Sequence, residues 1–197
     1  HIIVGALKDV DLPSAESLVH RYPNQLSGGQ KQRVMIAMAI LCEPKVIIAD
    51  EPTSALDVTA QDTVLNVLIR LSKEKDIAIL MITHDMGVVA RFCERVNVMY
   101  GGYIVEQADV KTLFSNPAHP YTAALLAATP DPSQSKQVLQ AIPGIQRTRV
   151  GMQPNICPFI DRCAFSKTEC VTPPVPVEIV KGHKTTCHFA GQLDLSV

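Results

Sequence analysis

The sequence predicts an α/β fold with parallel strands and a helical subdomain, followed by a loop-rich extension that carries a cysteine cluster. Three observations predict it. Val46 to Ala49 and Ile77 to Ile82 are short runs without a polar residue, the pattern of strands buried on both faces of a parallel sheet. Val58 to Lys75, between them, has helical spacing, with Val64, Leu65, Leu68 and Leu71 on one face. Finally, Cys157, Cys163, Cys170 and Cys187 fall in a C-terminal region broken by Pro158, Pro173, Pro174 and Pro176.

The remaining elements follow in chain order. Ile3, Val4, Leu7 and Val10 recur with helical spacing up to Leu12-Pro13. Pro13 to Glu16 reads as a second helix start, and Tyr22-Pro23 ends that pattern. His20 there is expected on the surface. A third helix carries Val34, Ile36, Ala37, Met38, Ile40 and Leu41. Gly87 to Cys93 is expected to be helical. Val96 to Tyr100 and Tyr103 to Glu106 flank Gly101-Gly102, a hairpin signal. Cys42 and Cys93 lie in apolar helical surroundings and are expected to be small core residues. Asp109 to Phe114 reads as a short helix stopped at Asn116-Pro117, where a domain boundary is expected, dividing the chain into 1–115 and 116–197. Ala123 to Ala128 is a further apolar helix, and Thr129 to Ser135 is linker-like.

The stretch from Asn24 to Asp57 concentrates the chemistry. Ser27-Gly28-Gly29-Gln30 opens the third helix: the serine suits an N-cap, and two glycines allow close backbone approach. Such a helix N-terminus favours an anion. Val46 to Ala49 runs directly into Asp50-Glu51, at the strand end where α/β proteins place ligand chemistry. Asp50 is placed to hold a hydrated Mg²⁺, and Glu51 to polarise a water. His84 follows the second strand at the same end of the sheet, if the strands are parallel. Each piece alone also suits an ordinary loop or turn; the ordered combination favours a phosphate site.

These residues carry a resemblance. LSGGQ (Leu26 to Gln30) resembles the signature motif of ABC-type ATPases, VIIADE (Val46 to Glu51) their Walker B strand, SALD (Ser54 to Asp57) their D-loop, and His84 in ITHD their switch histidine. The resemblance implies part of a P-loop NTPase domain. In it Ser27, Gly28, Gly29, Gln30, Asp50 and Asp57 face ATP and Mg²⁺. Asp50 serves the metal, Glu51 is the general base and His84 senses the γ-phosphate. It also implies a composite site closed by a second ABC ATPase subunit, a related paralogue, with the first helices facing the membrane subunits. No GxxxxGK[ST] occurs, nor the family's glutamine loop before LSGGQ. Since the chain also opens without a methionine, it is expected to be a truncated piece, inactive alone.

The tail is the second constellation. Five, six and sixteen residues separate its successive cysteines. Four cysteines in a segment with little core of its own suggest a metal centre that supplies cross-linking. The absence of tight CxxC pairs disfavours structural zinc, and iron–sulfur clusters accept looser spacing; two disulfides remain open. His188 could replace a cysteine as ligand, though a bystander role fits as well. NPAHPYTAALLAATP (Asn116 to Pro130) with CPFIDRC and a later Cys-His is similar to the C-terminal extension of ATP-binding subunits of dipeptide and oligopeptide importers; nickel and other solute importers share parts of it. MIAMAI (Met35 to Ile40) and DVTAQ (Asp57 to Gln61) also suit that group. That resemblance implies a [4Fe-4S] cluster on Cys157, Cys163, Cys170 and Cys187, with Zn²⁺ as the alternative.

Composition bounds the partners. A net charge of −1 gives no global basic field for nucleic acid. The longest apolar run, Val34 to Cys42, falls far short of the ~20 residues of a membrane span. Membrane association is therefore expected to go through partners: two transmembrane permease subunits, and indirectly a solute-binding protein. The expected location is the cytoplasmic face of a bacterial inner membrane, peripherally. Two rival readings are an ABC ATPase outside transport and an inactive metal-binding remnant.

Overall fold

A computed structural model describes residues 1–130, 141–145 and 156–195. They fall into two compact units, His1–Asp85 and Met86–Val197.

The first unit runs α1 (Ile2–Asp9), α2 (Ala15–Leu18), α3 (Gly28–Ile40), β1 (Val46–Asp50), α4 (Val58–Lys75) and β2 (Ala78–Ile82). The apolar stripe of α4 buries Val64, Val67, Leu68 and Leu71 against Ile36, Ala37 and Ile40 of α3 and Val10 and Leu12 after α1. Each such large side chain contributes roughly 1.5–3 kcal/mol by leaving water. The carbonyls at the C-terminal end of α1 are taken up by two arginines. Arg70 Nη2 donates to the Asp9 carbonyl at 2.6 Å, and Arg33 Nη1 to the Asp11 carbonyl at 2.7 Å. Helix ends need such partners because their last carbonyls have none within the helix. His20 is exposed, as expected.

β1 and β2 pair in parallel, from Val46 opposite Ala78 to Asp50 opposite Ile82. The expectation of strands buried on both faces is corrected. Ile47 and Ala49 are buried, whereas Ile48 is 66% and Leu80 50% exposed. The core of α3 and α4 covers one face of this two-stranded sheet, and nothing within the unit covers the other. Cys42 is also corrected: it is exposed, because α3 ends at Ile40 and the thiol sits in the turn leading to β1.

The second unit runs α5 (Met86–Phe92), β3 (Arg95–Tyr100), β4 (Tyr103–Asp109), α6 (Val110–Ser115), α7 (Pro120–Ala127), β5 (Val177–Val180) and β6 (His183–Thr185). Gly101 and Gly102 turn the β3–β4 hairpin with φ of 58° and 87°. Positive φ at both turn residues matches the twist of the flanking strands and costs glycine nothing. The antiparallel sheet has the order β3-β4-β6-β5, with Glu106 opposite Thr185. Tail and hairpin therefore share one sheet, and the boundary expected at 115/116 falls inside this unit. They share a core as well: Tyr100 packs edge-on against Phe159 at 5.0 Å, beside buried Val105, Leu113, Cys157 and Cys170. Cys93 is half-buried, and burial pushes its thiol up. In the linker-like stretch Thr129 to Ser135, residues 131–135 lie outside the described residues.

One carboxylate joins the pieces of this unit. Glu106 is 1% exposed. Its Oε1 accepts from the Ala118 N–H at 2.8 Å and lies 2.8 Å from His183 Nε2; its Oε2 accepts from the His119 N–H at 2.9 Å. Removing one partner of a buried, hydrogen-bonded pair strands the others. Glu106→Ala should therefore destabilise this unit by roughly 3–5 kcal/mol in denaturant unfolding followed by a probe in residues 86–195. A loss below about 1 kcal/mol would contradict this role.

Candidate functional site

The site of the first unit is made at the C-terminal ends of β1 and β2. Their register places Asp50 beside Ile82, and the Glu51 N–H extends the ladder by donating to the Ile82 carbonyl at 2.9 Å. The chain then turns sharply. Glu51 has φ 45° and Ala55 φ 64°, conformations that cost an L-residue about 1 kcal/mol and collect at functional sites. The Glu51 carbonyl is held by the Ser54 N–H at 3.2 Å and the Ser54 hydroxyl at 3.0 Å. This turn presents the Glu51 carboxylate to His84, whose Nδ1 lies 2.7 Å from Glu51 Oε1. The hydrogen bond to Glu51, helped by its charge, holds the His84 imidazole above its ordinary 6.5. A raised folded-state value has a definite sign. The pair's contribution is complete below about pH 6.5 and is lost as pH rises through the raised value.

Two expected residues meet and others serve first in the architecture. Glu51 and His84, far apart in sequence, are in contact. Asp50 is exposed at the end of β1, an oxygen donor of the kind hydrated Mg²⁺ takes. Ser27 caps α3: its Oγ accepts from the Gln30 N–H at 3.2 Å, and the Gln30 side chain accepts from the Ser27 N–H at 3.0 Å. This capping box fixes the first turn of α3 and uses the amide of Gln30. A Cβ on Gly28 would lie 3.1 Å from Leu56, and one on Gly29 3.2 Å from Ala60. The two glycines thus let α3 close on the start of α4. Asp57 caps α4, accepting from the Ala60 N–H at 2.9 Å. The segment that opens α3 and the turn that leads into α4 are consequently one packed piece.

In the second unit Cys157, Cys163, Cys170 and Cys187 line a single cavity with His119, Phe159 and Phe189. None of the four is in a disulfide. Burial pushes the Cys163 thiol up to about 11, and the nearby Cys157, Cys187 and Cys170 add to the shift. Burial also raises Cys187. His188 Nε2 is 3.0 Å from the Thr172 carbonyl, a bond that occupies one of its ring nitrogens. Among the described residues no three His, Cys, Asp or Glu form a group able to hold a metal ion. The expected metal centre is therefore not assembled as a single-ion cage. By type, four soft sulfur donors converging on one mainly apolar space fit a thiolate-held group.

The sequence reading missed Glu106, His183 and His119. Glu106 and His183 sit in short strands with no motif around them. His119 stands in the quoted His-Pro-Tyr run, where proline at the first helical position marks a helix start; its Nδ1 accepts from the Tyr121 N–H at 3.0 Å.

A family model of ABC transporters matches residues 3–54, and a model of the oligopeptide/dipeptide transporter C-terminal region matches residues 105–170. The dipeptide transport ATP-binding protein DppD of Escherichia coli (strain K12) is 41% identical over 187 residues, 94% of this chain and 57% of that protein. The oligopeptide transport ATP-binding protein OppD of Haemophilus influenzae is 41% identical over 189 residues, 96% of this chain and 58% of that protein. The solved structure of cbiO1 from Clostridium perfringens, part of the ABC transporter complex cbiONQ, is 36% identical with a TM-score of 0.53, over 58% of this chain and 45% of that one. The chain thus spans a little over half the length of the curated relatives it matches. A model of ABC transporters and a model of the oligopeptide/dipeptide transporter C-terminal region thus match the two parts of the chain, and its curated relatives are dipeptide and oligopeptide transport ATP-binding proteins.

Proposed function

We propose that this chain supplies the hydrolytic and signature elements of an ATPase subunit that powers import of dipeptides or oligopeptides. The observation that carries this reading is the 2.7 Å contact of Glu51 with His84 at the parallel strand ends, directly after Asp50. Glu51 takes a proton from the attacking water. The water oxygen bonds the γ-phosphorus as the bond to the β–γ bridging oxygen breaks, and ADP leaves. Asp50 would hold Mg²⁺, whose charge offsets that of the phosphates. Ser27, Gly28 and Gly29, at the capped and closely packed start of α3, suit the γ-phosphate bound by a second, related ATPase subunit. Their helix is held rigidly against the Asp57 turn, so closing the two subunits would carry signature and D-loop together.

The loop that cradles the β- and γ-phosphates is not in these 197 residues. The chain alone is therefore expected not to turn ATP over. No helix among the described residues is long and apolar enough to cross a membrane. Peripheral attachment to two permease subunits, with a solute-binding protein delivering the peptide, is the arrangement that fits the relatives' printed roles in dipeptide and oligopeptide transport.

The four-cysteine cavity is proposed to hold a [4Fe-4S] cluster on Cys157, Cys163, Cys170 and Cys187. When bound, such a cluster supplies a covalent cross-link and a one-electron couple. Its support is the meeting of four sulfur donors, far apart in sequence, at one cavity. Cys157, Cys187 and Cys170 add to the upward shift of the Cys163 thiol.

Two measurements test these readings. Fused to the phosphate-loop half of a peptide-importer relative, the chain should hydrolyse ATP, and Glu51→Gln should bind ATP but lose on the order of 10²–10⁴ in turnover. Turnover at the parent rate would remove Glu51 from its role. Anaerobic purification should give iron and sulfide near four atoms each per chain, lost in Cys163→Ser; one zinc and no colour would replace the cluster by a structural zinc site.

A further inference from the structure

His119 is fully buried, at 1% exposure, and lines the same cavity as the four cysteines. Its backbone N–H is held by Glu106 Oε2 at 2.9 Å, so the residue is pinned to the buried carboxylate that joins β4 to the tail. Its ring is pinned as well. Nδ1 accepts from the Tyr121 N–H at 3.0 Å, in the first turn of α7. A nitrogen that accepts a hydrogen bond carries no proton, so the ring is the neutral tautomer with its hydrogen on Nε2. Burial agrees, pushing the imidazole down to about 4. With Nδ1 turned back to its own helix, Nε2–H is the ring edge left for the cavity. The surroundings offer it sulfur: Cys157, Cys163, Cys170 and Cys187, with Phe159 6.0 Å from its ring centre.

We propose that His119 donates an Nε2–H hydrogen bond to sulfur, thiolate or sulfide, of the cluster held by the four cysteines. The inference rests on the cluster reading above. Its consequence is electrostatic. Hydrogen bonds to cluster sulfurs favour the more negative, reduced state and raise the reduction potential. The same residue has a second duty as the cap of α7, so the donor role must be separated from the capping role. Two amide side chains do this. Asparagine places an acceptor near the position of Nδ1, keeping the bond from Tyr121, but has nothing where Nε2–H stands. Glutamine reaches the Nε2 position with an N–H donor and gives up the acceptor near Nδ1.

The test uses the whole chain, reconstituted anaerobically with ferrous iron and sulfide, and its His119→Asn and His119→Gln variants. The expected result has two parts. At equal iron and sulfide content, His119→Asn shifts the midpoint potential to more negative values, and His119→Gln returns most of that shift. In the reduced cluster an exchangeable proton coupling, read by electron–nuclear double resonance in H₂O against D₂O, is present in the parent and His119→Gln and lost in His119→Asn. An unchanged potential and coupling in His119→Asn would overturn the donor role while leaving the cluster reading in place. A parent that takes up no iron or sulfide overturns both readings at the stage of metal analysis. Should His119→Asn not fold, His119→Gln carries the test: retained proton coupling supports the donor role, and its loss overturns it.

Discussion

The parallel register of β1 and β2 is the constraint on which the candidate site depends. It sets Asp50 beside Ile82, lets the Glu51 amide cap the ladder on the Ile82 carbonyl, and brings two residues thirty-three positions apart to 2.7 Å. A slip of one residue would reverse which face each side chain occupies and separate Glu51 from His84. The register is held by the core beneath it. α4 connects the two strands, buries its leucines against α3, and is capped by Asp57 within the turn that follows Glu51. Strand pairing, helix capping and the acid–imidazole contact are thus consequences of one packing arrangement.

The second unit solves a different problem. Its tail has short strands, many prolines and little apolar surface of its own, yet it is bound into a sheet by β6 on β4 and into a core by Phe159 against Tyr100. Glu106 supplies the polar part of that junction, satisfying two backbone amides and the His183 ring in a site closed to water. A carboxylate so placed is costly to bury and stays only where every acceptor position is used. The cysteine cavity and His119 lie within this junction, so the geometry of the thiols depends on strand pairing far along the chain.

Much of the site was legible in the sequence because local rules govern it. The SGGQ capping box, the acids at a strand end, the paired glycines of the hairpin and the periodic face of α4 each follow from nearby residues. What was not legible depends on distant ones. The apolar runs of β1 and β2 signalled two buried faces, but within their unit only one is covered. Cys42 looked like core because its neighbours are apolar; it lies past the helix end. Residues 177–185 were too short and too polar to announce two strands, and without them the hairpin looked like part of the preceding domain. Glu106, His183 and His119 acquire meaning only when β6 lies on β4.

The most direct test of the central claim is the NMR titration of the His84 ring in this chain and in Glu51→Gln. The 2.7 Å contact predicts that His84 stays protonated to higher pH than an ordinary imidazole, and that replacing the carboxylate returns it toward 6.5. If His84 titrates identically with and without the Glu51 carboxylate, the two residues are not paired, and the site built on their contact falls.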